Sequence, residues 1–344
     1  MERRTQTADV LKGIAVLLMI QVHIVELFAT ESFYQSSTGK ILMFLGGPPV
    51  APVFMAILGY FLLSVNKTSI QLVVRGIKIF ILGMLLNLAL NFNLFIKVNS
   101  GKLVVDVWPY VFGVDILPFA GLSIICIALM KHLIEKKWWV IFIMFFISIW
   151  LGQFLIEFTP KSNFLKYMGA YFYGCTEWSY FPLFPWIAYP LSGIALSKIE
   201  QRYNFQVLYL LKTKITLGIL FLVFFVSTIT YAISIASNLT SYYHQDILFF
   251  SWTIIFSLFY SLFIHEINAW LGQTWMFQYF KWLGRHVTLV YVIQWVMIGN
   301  IATEIYKTVS CPVYLIFWYI GIISVTNCLT YLILKIKFKK STST

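Results

Sequence analysis

Residues 9–28 read DVLKGIAVLLMIQVHIVELF. At 1.5 Å per residue, a helix of this length spans about 30 Å, the thickness of a bilayer's hydrocarbon core. The run from Ala8 to Phe28 is too long for a signal-peptide core and carries Lys12 and His23, so it reads as part of the mature fold.

The same kind of run recurs along the chain. Ten spans are expected, at roughly 8–28, 41–65, 70–95, 115–134, 138–158, 182–198, 215–237, 247–266, 285–305 and 312–336. Composition agrees: of 344 residues, 60% are hydrophobic and 11% are charged, where a soluble domain carries about 25% charged residues. The expected fold is all-α, a polytopic integral membrane helix bundle forming one transmembrane domain over residues 1–344. No linker or low-complexity segment interrupts it.

The formal net charge is +12. No nucleic-acid motif accompanies it, and the basic residues cluster between apolar runs, which points to the membrane surface. With the N-terminus inside, fifteen Lys and Arg residues fall in inner segments and six in outer ones. Both termini are therefore expected in the cytoplasm, and the setting expected is a bacterial cytoplasmic membrane. Of the four cysteines, Cys126 and Cys328 lie within apolar runs; Cys175 and Cys311 fall in outer segments, which leaves a disulfide between them open. No metal-ligand spacing is present, and no metal is expected.

Ionisable groups inside a span are costly and mark a site. The opening helix holds Asp9, Lys12, His23 and Glu26. Lys12 and His23 lie about 20° apart around the axis and about 16 Å apart along it, with Asp9 and Glu26 flanking them, so the four form one polar stripe. Lys12 falls near the inner end and His23 beyond the midplane. Imidazole suits proton transfer near neutral pH, although a lone intramembrane histidine also serves as a structural bond to a neighbouring helix.

Other features lie around this stripe. Arg75 and Lys78, one turn apart, open the third span; Arg285 and His286 open the ninth. Such cations either snorkel to lipid headgroups or hold phosphates that enter from the cytoplasm. The second span, with Gly46, Gly47, Pro48, Pro49 and Pro52, and the sixth, with Pro182, Pro185, Pro190 and Gly193, are interrupted. Broken backbone at membrane depth lines a cavity or is buried in protein. The outer segments 96–114 and 159–181 are rich in aromatics, including Trp108, Tyr110, Tyr167, Tyr171, Tyr173, Trp178 and Tyr180, with Asp106 and Glu177. They read either as an interfacial belt or as an acceptor platform.

Asp9-x-x-Lys12-Gly13-Ile14-Ala15 followed by His23 resembles the opening of membrane-bound transmembrane acyltransferases. The rest of the chain resembles the heparan-α-glucosaminide N-acetyltransferase-like branch. The likeness is carried by GGPPVAPVFMAILGYFLLS (46–64), VVRGIKIFILGMLLN (73–87), FGVDILPFAGLSII (112–125), FPLFPWIAYPLSGIALS (181–197) and LGRHVTLVYVIQW (283–295). The resemblance implies acyl transfer from cytoplasmic acetyl-CoA, as co-substrate, to a saccharide acceptor on the outer side. It implies His23 as catalytic base or acyl carrier, with Glu26 or Asp9 orienting or balancing it. Lys12, Arg75, Lys78 and Arg285 then form the set that meets the donor's phosphates. Two departures stand out: Lys12 occupies a position usually held by Arg, keeping charge but losing the bidentate fork, and Gln294 stands where a late histidine often does. A transporter or flippase of a lipid-linked sugar is the alternative, and a non-catalytic scaffold a third class. The residues leave open O- or N-acylation, chain length and oligomeric state.

Overall fold

The computed structural model describes residues 2–64, 67–158, 160–203 and 210–341. The side chains of residues 2–5 and 337–341 lie outside that description, and with them the charges expected at Arg3, Arg4, Lys337, Lys339 and Lys340. The chain begins with α1 (Glu2–Phe28), α2 (Glu31–Tyr34), α3 (Ser37–Gly46), α4 (Ala51–Leu62), α5 (Ser69–Leu90) and α6 (Phe92–Asn99). It continues with α7 (Trp108–Phe112), α8 (Ile116–Lys136), α9 (Val140–Leu155), α10 (Asn163–Gly169), α11 (Leu183–Trp186) and α12 (Ala188–Arg202). The last third holds α13 (Leu211–Ala236), α14 (Leu239–Tyr243), α15 (Ile247–Leu271), α16 (Trp275–Arg285), α17 (Val287–Ile305) and α18 (Pro312–Ser341). Among the described residues the only β pairing is an isolated bridge between Ala29 and Val309.

The fold is an all-helical, polytopic membrane bundle. Helices dominate because lipid offers no hydrogen bonds, so each spanning segment must satisfy its backbone internally. Among the described residues, eight helical segments are long and apolar enough to cross a bilayer: Gln6–Phe28, Ser37–Leu62, Ser69–Leu90, Ile116–Lys136, Leu211–Ala236, Ile247–Leu271, Val287–Ile305 and Pro312–Ile336. The remaining two expected spans take other forms. Val140–Leu155 is a shorter apolar helix of 16 residues. The 182–198 run is split into α11 and α12, with Phe184 in extended backbone (φ −104°, ψ 124°).

Both interruptions expected from Pro and Gly are present. The second span breaks between α3 and α4, where the Gly47 N–H donates to the Phe44 carbonyl at 3.1 Å and the Val50 N–H to the Gly47 carbonyl at 3.0 Å. No proline N–H is needed there, which is why Pro48 and Pro49 fit.

The chain forms two compact units. The first comprises 1–50, 86–107 and 260–344; the second comprises 51–85 and 108–259. In the first, α1 is wrapped by α3, α16, α17 and α18. Val10, Val16 and Phe28 are fully buried and Leu11, Ala15, Ile20, Ile24 and Val25 nearly so, as expected of a helix with neighbours on most sides. Its C-terminal end is tied down where the Lys307 N–H donates to the Leu27 carbonyl and the Val309 N–H to the Phe28 carbonyl, both at 2.9 Å.

The second unit is built on the crossing of α4 and α12. A Cβ on Gly59 would collide with the Pro190 carbonyl, and one on Gly193 with the Ala56 carbonyl. Small residues let the two backbones touch, a common way for helices to associate in lipid. In the same unit Val114, Ala170 and Tyr171 form a small core with Phe80, Met84, Leu122, Cys175 and Trp178 around it. Of the aromatics in segment 159–181, Tyr167 stacks on Trp178 at 5.0 Å and meets Phe112 at 5.3 Å. All four cysteines are free thiols.

Candidate functional site

The stripe expected along α1 resolves into an ion pair and a histidine–carboxylate contact, each across one helical turn. Toward the N-terminal end Lys12 Nζ meets Asp9 Oδ1 at 2.8 Å. Toward the C-terminal end His23 Nδ1 meets Glu26 Oε2 at 3.4 Å. The 11-residue gap keeps Lys12 and His23 about 16 Å apart, so a shared face does not become a direct contact.

The His23 side chain is 14% exposed and that of Glu26 18%. The imidazole stacks on the indole of Trp295 from α17, with ring centroids 3.8 Å apart and an interplanar angle of 23°. This is a packed, oriented ring. With Glu26 on Nδ1, the tautomer that donates from Nδ1 leaves the Nε2 lone pair as the basic position.

The Asp9–Lys12 pair is extended by α16. Arg285 Nε lies 3.7 Å from Asp9 Oδ2. Lys281, only 2% exposed, donates to the Gly272 carbonyl at 2.8 Å and to Gln6 Oε1 at 3.3 Å. Burial, and then the nearby Arg285, hold the Lys281 ammonium below its ordinary range, while Asp9 pulls it back up. Three cations thus surround one carboxylate. The helices can come this close because of two glycines: a Cβ on Gly284 would collide with the Asp9 carbonyl, and one on Gly13 with the Phe280 carbonyl. Thr7 Oγ1 shares a hydrogen bond with His265 Nδ1 at 3.0 Å at the same end.

The other two expected cations sit on α5 in the second unit. Arg75 is half-buried and Lys78 exposed. Neither has an ion-pair partner among the described residues.

Sequence reasoning did not single out Trp295 or Lys281. The ring stack had no local signal, because nothing in VYVIQW marks one aromatic as facing a histidine far away in sequence. Lys281 had a weak one: it lies four residues before Arg285, on one face of a helix. Among the described residues no three His, Cys, Asp or Glu side chains gather as a metal-ligand set.

Fold and site together define an integral membrane helix bundle with an oriented imidazole inside a span and a cluster of cations at one end of the same helix. Residues 4–222 match the family heparan-alpha-glucosaminide N-acetyltransferase, catalytic, and the chain belongs to that family. It is thus a membrane protein of an acetyltransferase family. The match includes Asp9, Lys12, His23, Glu26, Arg75 and Lys78 and ends before Lys281, Arg285 and Trp295. No curated protein and no solved structure matches the chain.

Proposed function

We propose that this protein transfers an acetyl group from acetyl-CoA on the cytoplasmic side to the amine or hydroxyl of a saccharide on the outer side. The observation that carries the reading is His23 itself: a largely buried imidazole within a span, with Glu26 on one nitrogen and Trp295 against its face. In the proposed topology the chain crosses a bacterial cytoplasmic membrane ten times, with α9 and the split α11–α12 as the two further crossings, and both termini are cytoplasmic. Support comes from the Lys and Arg bias of the loops. The two units interleave along the chain, which favours one functional domain.

In this reading Lys12 and Arg285 meet the phosphates of acetyl-CoA. The excess of cations over Asp9 suits polyphosphate. Asp9 holds Lys12 and Arg285 in place. Glu26 orients the ring. His23 then acts in one of two ways. As general base, Nε2 takes the acceptor's proton while the acceptor attacks the thioester carbonyl; the C–S bond breaks and CoA leaves as the thiolate. As carrier, Nε2 attacks the carbonyl first and expels CoA as the thiolate; the acceptor then attacks the acetyl-imidazole, the C–Nε2 bond breaks, and the acceptor's proton passes to the thiolate.

The test uses purified full-length protein in nanodiscs with radiolabelled acetyl-CoA and glucosamine. Wild type should bind CoA and form labelled N-acetylglucosamine, and His23→Ala should bind CoA without transfer. A protein that neither binds CoA nor transfers label, yet moves a lipid-linked sugar between leaflets, is a flippase.

A further inference from the structure

Gln294 lies on α17, one residue before the indole that covers His23. It is fully buried, yet neither its Nε2 nor its Oε1 has a hydrogen-bond partner among the described residues. Within a span there is no water to take the place of a protein partner, so an unpaired amide calls for another explanation.

Helical geometry shows where the amide points. On α17, Trp295 faces α1 through its stack on His23. Met297 faces α18, where its sulfur is 4.0 Å from Thr326 Oγ1. At about 100° per residue, Gln294 falls on the arc between these two directions, about 100° from one and about 60° from the other. α1 and α18 also pack on each other, with Phe28 edge-on to Trp318 at 5.5 Å. Gln294 is therefore directed into the seam that α1, α17 and α18 share.

A second unpaired group lies at the same level. Thr330, one turn beyond Thr326, is fully buried, and its Oγ1 also has no partner among the described residues. Because α17 and α18 run antiparallel, stepping from Met297 back to Gln294 and from Thr326 on to Thr330 moves about 5–6 Å in the same direction. One seam thus offers an amide donor, an amide acceptor and a hydroxyl within about a residue's rise of His23.

We propose that Gln294, with Thr330 beside it, binds an amide group of the reacting molecules and so positions them against His23. An amide is the group that needs both a donor and an acceptor in an otherwise apolar seam. Two molecules in the proposed reaction carry one: the pantetheine arm of the thioester donor, and the acetamido group of an N-acetylated sugar. The inference rests on the acyl-transfer reading for its ligands and on the unpaired amide for its site. Gln294 is a positioning residue in this scheme, and the bond-making steps remain with His23.

The experiment compares wild type, Gln294→Leu and Gln294→Asn as full-length protein in nanodiscs. Apparent Tm is read alone, with CoA, and with N-acetylglucosamine; acetyl transfer is read alongside. Without ligand, Gln294→Leu should melt at or above the wild-type temperature, since it replaces an unpaired amide by an apolar group of similar size. It should lose the ligand-induced rise in Tm and about tenfold or more in kcat/KM, the usual consequence of removing one buried ligand bond. Gln294→Asn should recover part of both. Loss of the CoA shift assigns the pantetheine arm, and loss of the N-acetylglucosamine shift assigns the acetamido group. If Gln294→Leu lowers the unliganded Tm but keeps both shifts, Gln294 is structural and the proposal is overturned. Unchanged behaviour throughout, or a wild type that no ligand stabilises, overturns it too. A wild type that is stabilised through Gln294 but transfers nothing leaves the binding site standing and removes the transferase reading.

Discussion

The imidazole of His23 on α1 lies flat against the indole of Trp295 on α17, 3.8 Å between ring centres. Glu26 holds Nδ1 from one turn along the same helix. The ring is therefore fixed on its face and at one nitrogen, which leaves a single basic position directed by the fold. Local spacing supplied one of these contacts and tertiary packing the other.

Replacing His23 should separate chemistry from binding. His23→Ala is expected to lower kcat by about 10²–10⁴-fold, the usual contribution of a positioned acid–base group, with KM for acetyl-CoA little changed. Glu26→Gln should lower kcat by about 10–100-fold through loss of orientation. Single-turnover transfer of labelled acetyl is the measurement. Equal rates in wild type and His23→Ala would remove His23 from the mechanism.

The cations at the inner end should act in the opposite sense. Lys12→Ala and Arg285→Ala each remove one charge-assisted contact, worth about 1.5–3 kcal/mol, so KM for acetyl-CoA should rise about tenfold or more at nearly constant kcat. Arg285→Lys should recover part of the loss, since it keeps the charge without the fork. A change in kcat alone would contradict the phosphate-binding role.

Helical glycines should sort by what surrounds them. Gly284→Ala puts a methyl into the Asp9 carbonyl and is expected to destabilise by at least about 1–3 kcal/mol, because backbone cannot move aside as a side chain would. Gly321 on α18 has nothing within 4 Å of an added Cβ. Gly321→Ala should be neutral or stabilising by up to about 1 kcal/mol. Thermal melts of both variants in the same nanodisc decide the matter; similar Tm values would refute the close α1–α16 crossing.

The loop after α10 should depend on pH through His244. Its Nε2 lies 3.0 Å from the Ser179 carbonyl, to which it donates as neutral imidazole. Burial lowers its pKa from 6.5, partly offset by this hydrogen bond. The unfolded chain therefore takes up the proton first. The stabilisation is complete above about pH 6.5 and is lost as pH falls through the lower folded value. Hydrogen exchange over residues 170–181, corrected for intrinsic rates, should quicken between pH 7.5 and 5, and His244→Phe should abolish that change. Exchange that does not vary with pH would show that His244 does not secure this loop.

Much was legible from residues alone. Apolar runs of span length define a membrane bundle, because lipid admits little else. Pro48 and Pro49 in the second span and Pro182 and Pro185 in the sixth mark both interruptions, because proline has no N–H with which to continue a helix. Asp9, Lys12, His23 and Glu26 share one helix, so their pairing follows from spacing. The meeting of Arg285 and Lys281 with Asp9, the ring on His23 and the unpaired amide of Gln294 do not follow from any local pattern. Each needs α16 and α17 to return to α1 from the far end of the chain, and the apolar faces that bring helices together in a membrane are too alike for sequence to name the partner. Periodicity and charge determine which segments cross and which residues are out of place in lipid; only packing decides which of those residues meet.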